Sequence, residues 1–222
     1  MIHGLTFKEY VEEEKQKLSE MSGAEKKQYF IDYYLKFVIG VCVVILILIW
    51  MIVDLALNMR NVVVTGGVVN VVMSDEGYDY LQDDYLEYLQ LSTKGNKAYL
   101  GNIFLNGDDP QSYTVFNAEI ATNTYNYVIT DNDGLEFMAK VECLADMNEV
   151  LDKDLYDKLK DNLVYKKSGE SGSEIAAAID ITDTAFTKDY IQTGEKVYFV
   201  ISGNAEDYES GLNILRYILE KK

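Results

Sequence analysis

The stretch Asp131-Asn132-Asp133-Gly134 has the residue types of a calcium loop, carboxylates and an amide followed by glycine. A hard cation needs such oxygens at fixed loop positions, with a bidentate Glu at the twelfth. If Gly134 stands at position six, position one is Ile129 and position twelve is Lys140, so the cation reading fails. A strand-to-helix turn with a capping Asp explains the residues instead. Asp75-Glu76, Asp83-Asp84 and Asp108-Asp109 could hold a cation weakly, but solvated surface acids are the ordinary role of such pairs.

Nucleophilic catalysis finds no better support. A Ser-His-Asp or Cys-His arrangement needs an imidazole beside the nucleophile, and the chain has one, His3, ahead of the apolar run described below. Gly169-Glu170-Ser171-Gly172 lacks the G-x-S-x-G spacing of a nucleophile elbow. Thr65-Gly66-Gly67 matches no phosphate-binding signature and reads as a turn. Glycoside hydrolysis needs one selected pair of carboxylates, and nothing singles out a pair among 29 acids in residues 61–222. One His and two Cys exclude a zinc ribbon and a disulfide scaffold. Cys143 reads as a small buried residue. The sequence therefore predicts no catalytic residue, no metal site and no cofactor.

Binding is the chemistry left. In open α/β sheets ligands favour the loops beyond the carboxyl ends of strands. The loops that answer to this carry Ser74, Asp75, Glu76 and Tyr78, then Asp131 and Asn132, then Ser202 and Asn204. The first two loops are acidic, which opposes an anionic ligand and tolerates a cationic peptide or a basic protein face. A net charge of −17 also makes a nucleic-acid partner improbable, since phosphates demand a basic surface.

The elements that must hold these loops follow from periodicity. Strand-length apolar runs occur at 68–73, 98–105, 127–129, 176–181 and 197–201. Helical patterns lie between them, over 80–91, 111–122, from Asp133, from Asp146, from Asp152 to about 163, and from Asn204 to the end. The polar stretch 166–173 reads as a flexible loop, and Asn106-Gly107-Asp108-Asp109-Pro110 as a turn before a helix. Strands alternating with helices predict a layered α/β domain over 61–222 with a mostly parallel sheet.

Upstream the pattern changes. Residues 37–53 carry no charge, and 13 of these 17 are Leu, Ile, Val or Phe. Extended from Phe37 to Leu57, a helix here is about 31 Å long, the thickness of a bilayer's hydrocarbon core. The run predicts a transmembrane helix over 37–57 with the lipid bilayer as its partner. Six lysines precede it, and only Arg60 stands between it and Lys94, so the N-terminus is expected in the cytoplasm and 61–222 outside the cell membrane. Residues 1–36 read as a cytoplasmic helical segment: Thr6 with Glu9 and Ser22 with Glu25 form two capping boxes, and Leu5 can staple to Tyr10. With six bases and seven acids this segment suits a membrane surface or a protein partner better than anionic lipid.

The order of the outer elements resembles extracellular solute-binding proteins of the type 2 periplasmic-binding fold. The likeness rests on the strand at 69–74, on Glu119-Ile120-Ala121 leading to Tyr127-Val128-Ile129-Thr130-Asp131, on Phe137-Met138-Ala139 through Leu144-Ala145-Asp146, and on 197–204 with the helix after it. The segment before the membrane run, Tyr33-Tyr34-Leu35-Lys36, is similar to that of single-pass membrane proteins of Gram-positive bacteria. The resemblance implies a ligand-binding lobe. Family members close two lobes on a ligand, and the length of 61–222 suits one. The expected function is a membrane-anchored extracytoplasmic binding or interaction module without catalysis. The alternative is a structural or assembly subunit of a cell-envelope or transport complex, with an envelope or transporter protein as partner.

Overall fold

Two capping boxes start the chain's helices. Thr6 Oγ1 accepts from the Glu9 N–H at 3.4 Å while the Glu9 carboxylate takes the Thr6 N–H at 2.8 Å, opening α1 (Phe7–Glu20). Ser22 and Glu25 repeat this for α2 (Gly23–Tyr29). The computed structural model describes residues 6–58, 60–105, 110–122, 124–169, 172–205 and 207–221. His3, Leu5, the 106–109 part of the predicted turn, the Asp108-Asp109 pair and the Glu170-Ser171 part of the predicted loop lie outside them. The chain divides into two units, Met1–Met59 and Arg60–Lys222.

In the first unit a π-helical turn, Phe30–Tyr34, joins α2 to α3 (Leu35–Asn58). Tyr10, Val11, Glu14, Leu18 and Met21 are half-buried along one stripe of α1, the spacing of a helix laid against a neighbour. The Glu14 carboxylate accepts from Tyr29 Oη at 2.9 Å and Tyr34 Oη at 2.7 Å, so α1 folds back on α2 and the π turn. The Tyr34 hydroxyl, ahead of Tyr29 and Lys17, holds Glu14 below the usual carboxylate value of 4.5. A carboxylate whose folded pKa is depressed stabilises fully above its unfolded value and ever less as pH falls through the folded one. Protection of the Phe7–Glu20 amides, measured as exchange relative to the intrinsic rate at each pH, should therefore fall as pH drops below about 4.5; Glu14→Gln should lessen that fall, and the Glu9 carboxylate of the capping box should account for what remains.

Helix α3 is long enough to span about 36 Å. Its apolar side chains point outward: Phe37, Leu46, Trp50, Ile52 and Leu55 are each 65–70% exposed. No soluble core is made this way. Among the described residues α2 and α3 supply a single span long and apolar enough to cross a membrane.

The second unit begins with β1 (Asn61–Val69), and β2 (Val72–Met73) follows. A helical stretch then runs through α4 (Asp75–Asp79), a π turn at Tyr80–Asp84 and α5 (Tyr85–Tyr88). Next come β3 (Asn96–Ile103), α6 (Pro110–Ala121), β4 (Tyr127–Thr130), α7 (Asn132–Lys140), α8 (Met147–Val150) and α9 (Lys153–Leu159). The chain ends through β5 (Leu163–Lys167), β6 (Glu174–Asp180), α10 (Ala185–Tyr190), β7 (Ile191–Gln192), β8 (Tyr198–Ile201) and α11 (Tyr208–Glu220).

The class is α/β, but the expectation of a mostly parallel sheet is corrected. Six strands lie in the order β3-β1-β4-β8-β6-β5; β1 is parallel to β3 and β4, while β4–β8, β8–β6 and β6–β5 are antiparallel. Strands β1, β3, β4 and β6 point the same way; the antiparallel pairs come from β8, which runs against β4 and β6 between them, and from β5, an edge strand with two lysines and little burial that periodicity does not reveal. Six residues join it to β6, too few for a parallel crossover, so the pair is a hairpin. Strands β2 and β7 form a separate antiparallel pair.

Alternate strand residues enter two cores. Val64, Val68, Tyr127, Ile129, Phe199 and Ile201 pack with Ile214, Leu215 and Ile218 of α11. Val128, Tyr198 and Val200 pack with Phe116 and Ile120 of α6 and Leu135 and Met138 of α7. The predicted turn at Thr65-Gly66-Gly67 is instead the middle of β1. Its glycines are seats for rings: a Cβ on Gly66 would overlap the Tyr127 ring, and one on Gly101 of β3 would stand 2.8 Å from Tyr125 Oη. Two predicted caps also move. The cap of α7 is Asp131, not Asp133, and that of α11 is Asp207, not Asn204.

Candidate functional site

Asn70 organises the carboxyl end of the parallel strands. It leaves β1 in the left-handed region, at φ 58°, so the apolar run 68–73 breaks here instead of continuing as one strand. Its N–H donates to the Ile103 carbonyl at 3.0 Å, its Oδ1 accepts from the Leu105 N–H at 2.7 Å, and its Nδ2 donates to Asp131 Oδ1 at 3.1 Å. One side chain thus ties the exits of β3, β1 and β4. This is also where the connections leaving β1 and β4 diverge to opposite sides, the usual place for a crevice in such a sheet.

The predicted residues divide between two ends of the sheet. Ser74 caps α4, accepting from the Gly77 N–H at 3.2 Å, with Asp75 and Glu76 exposed in the first turn. The Tyr78 hydroxyl is buried; burial pushes its pKa up, and the Asn102 amide acts the other way. Asp131 accepts from the Gly134 N–H at 2.8 Å as well as from Asn70. Asn132 is held between Glu136 at 3.0 Å and the Lys166 ammonium at 3.1 Å. Ser202 and Asn204 do not join them. Because β8 runs antiparallel to β4, Ser202 faces Asn126, where β4 begins. The four residues of β4 put it at least about 13 Å from Asp131.

The carboxylates of Asp75 and Glu76 stay exposed, while Ser74, Asp131 and Asn132 are spent on holding the fold. The same is true of the groove of about 520 Å³ between α9 and α11, lined by Asp152, Lys158, Arg216 and Glu220. Arg216 donates there to Asp152 at 2.5 Å, to Glu209 at 2.8 Å and to Asn213 at 2.7 Å. Among the described residues no three His, Cys, Asp or Glu side chains converge as a metal would require. Cys143 is 2% exposed, donates to the Met138 carbonyl at 3.3 Å, and has its thiol pushed up to about 12 by burial. In a Cys42→Ala chain its alkylation by iodoacetamide at pH 8 should be slower than that of free cysteine by on the order of a thousandfold. Mass spectrometry before and after denaturant measures this, and equal rates would refute the thiol's inertness.

What sequence reasoning missed is aromatic. The π turn after the Ser74 loop brings Tyr80 and Tyr85, five residues apart, onto one side, as its wider winding allows. Tyr80 stacks on Tyr217 of α11 at 4.4 Å and lies 5.2 Å from Tyr190 of α10, and Tyr85 lies 5.3 Å from Tyr217. The Ser74 N–H donates to the Tyr190 carbonyl at 2.8 Å, so this cluster adjoins the first predicted loop. The available signal was compositional, 18 Tyr against 8 Phe, since packing alone would not call for so many hydroxyls.

Comparison with protein-family models, with curated proteins and with solved structures finds nothing that matches this chain.

Proposed function

We propose that the chain is a single-pass membrane protein whose Arg60–Lys222 unit is an extracytoplasmic binding or interaction module without catalysis. The observation that carries this is α3, with its exposed apolar side chains, followed after only Met59 and Arg60 by β1 of a unit with its own core. Lysines on the N-terminal side support a cytoplasmic N-terminus at the cell membrane. The likeness to a solute-binding lobe fits the crevice position between β1 and β4, and a single lobe would present its ligand face openly.

Topology tests the reading. With Cys42→Ala as background, an impermeant maleimide should label Glu195→Cys in intact cells and leave Lys15→Cys unlabelled. The reverse pattern would sink it. One observation favours an assembly role as the second reading: the Glu14-clamped hairpin leaves Phe7 and Tyr33 exposed, at 78% and 70%. On that reading, deleting residues 7–20 reduces the size of the native complex on a gel.

A further inference from the structure

The ammonium of Lys221 sits in an aromatic cage. It lies 4.4 Å from the centroid of the Tyr190 ring and 5.2 Å from that of Tyr80, with the Asp189 carboxylate at 3.1 Å and Tyr190 Oη at 3.1 Å. Its side chain is 16% exposed. Two rings, one of them also offering its hydroxyl oxygen, and a carboxylate around one nitrogen are the recognition chemistry of an organic ammonium, because ring quadrupoles attract a cation that has shed part of its water.

The cage walls do not depend on Lys221. Tyr80 is held by its stack on Tyr217, by Phe186 at 5.7 Å, and by its hydroxyl's bond to the Tyr217 carbonyl at 3.2 Å. Tyr190 is held by Phe186 at 5.6 Å and through its carbonyl by Ser74, and Gly77 leaves room for its Cβ. Lys221 itself is the residue after α11, with extended backbone at φ −62° and ψ 126°, so its side chain can withdraw without unwinding a helical turn. Acids lie near the cage: Asp84 acts on both Tyr80 and Tyr217, and the exposed Asp75 and Glu76 open the helix that leads to Tyr80. Residues 61–222 hold 29 acids against 13 bases, which favours approach of a basic partner.

We propose that this cage is a binding site for the lysine ammonium of a cationic peptide, and that Lys221 is the chain's own occupant, which the incoming ammonium must displace. The inference rests on the binding-module reading and gives it a ligand class. It can also fail alone: a chain that ignores amines yet shows the maleimide pattern above keeps that reading and loses this one.

The probe is Nα-acetyl-lysine methylamide, with the norleucine analogue as the same stem without charge, titrated calorimetrically into the full chain in detergent. Lys221→Ala should bind the lysine probe at least tenfold more tightly than the unaltered chain and should not bind the norleucine analogue. Adding Tyr190→Leu should cost at least tenfold of that affinity while the unfolding midpoint shows the variant folded. Equal affinity with and without Lys221, binding of norleucine as good as lysine, or indifference to Tyr190→Leu would each overturn the proposal. A second measurement needs no variant. In the unaltered chain, excess lysine probe should raise acetylation of the Lys221 amine by a succinimidyl ester at least threefold over excess norleucine analogue, counted relative to the exposed Lys94 of the same sample because the probe's own amine consumes reagent; an unchanged ratio would show Lys221 to be a fixed strap.

Discussion

Gly66→Ala should destabilise the Arg60–Lys222 unit by about 1–3 kcal/mol, although it adds one methyl group to a strand that alanine tolerates. The reason is the fully buried Tyr127 ring, which occupies the place of the missing Cβ and is itself stacked on Phe199 at 5.3 Å. Tyr127 cannot retreat, because Phe199 is also wholly buried and belongs to the antiparallel half of the sheet. Chemical denaturation of the full chain, followed by near-ultraviolet dichroism of the tyrosines, measures the effect. Truncating the ring supplies the control. Tyr127→Leu alone should cost a few kcal/mol as a large-to-small core change, and in that background Gly66→Ala should cost less than it does alone. Strict additivity of the two would mean that the ring and the glycine are not in contact.

Leu46→Arg combined with Ile47→Arg should release the chain from the membrane. Each arginine near a helix centre costs about 2.5–3.5 kcal/mol on insertion and forfeits the apolar residue it replaces, so the pair costs about 6–8 kcal/mol. The apolar run itself gains about 4–8 kcal/mol on the same scale, so two substitutions cancel it and one does not. Alkaline extraction should leave the unaltered chain in the membrane pellet and move the double variant to the supernatant. A pair of arginines at Glu12 and Glu13, on the exposed side of α1, should leave partitioning unchanged. Retention of the double variant in the pellet would mean that some other part of the chain holds the membrane.

How legible the fold was depended on where each residue's partner lies in the chain. The capping boxes at Thr6 and Ser22, the caps at Asp146 and Asp152, and the strands near 127–129 and 197–201 were readable because cap and periodicity are local. Sheet direction was not. Strands β4 and β6 point the same way and β8 runs against both, a reversal that no local pattern in the connection from β6 announces, while Lys166 and Lys167 disguise β5 as loop. That error also scattered the candidate site, since Ser202 belongs beside Asp131 only if β8 is parallel. The glycines of β1 misled for a related reason: a glycine pair reads as a turn until the rings of Tyr125 and Tyr127 are known to need the space. The cage escaped because Tyr80, Tyr190 and Lys221 meet only through tertiary packing, and because a π turn shifts the helical register on which periodicity relies.

The position of β1 has a mechanical consequence. It is the strand that follows the apolar helix α3, and it lies between β3 and β4 with a parallel neighbour on each side. Its far end leads through β2 to Ser74, whose backbone is bonded to Tyr190 of the cage. A pull between the anchor and a ligand held there would run along β1 and load both of its hydrogen-bond ladders in shear, many bonds at once. Peeling an edge strand breaks its bonds one by one at lower force. The Arg60–Lys222 unit is therefore built to resist tension applied where β1 begins, and single-molecule pulling from Asn61 against Tyr190 should give a higher rupture force than pulling across β5.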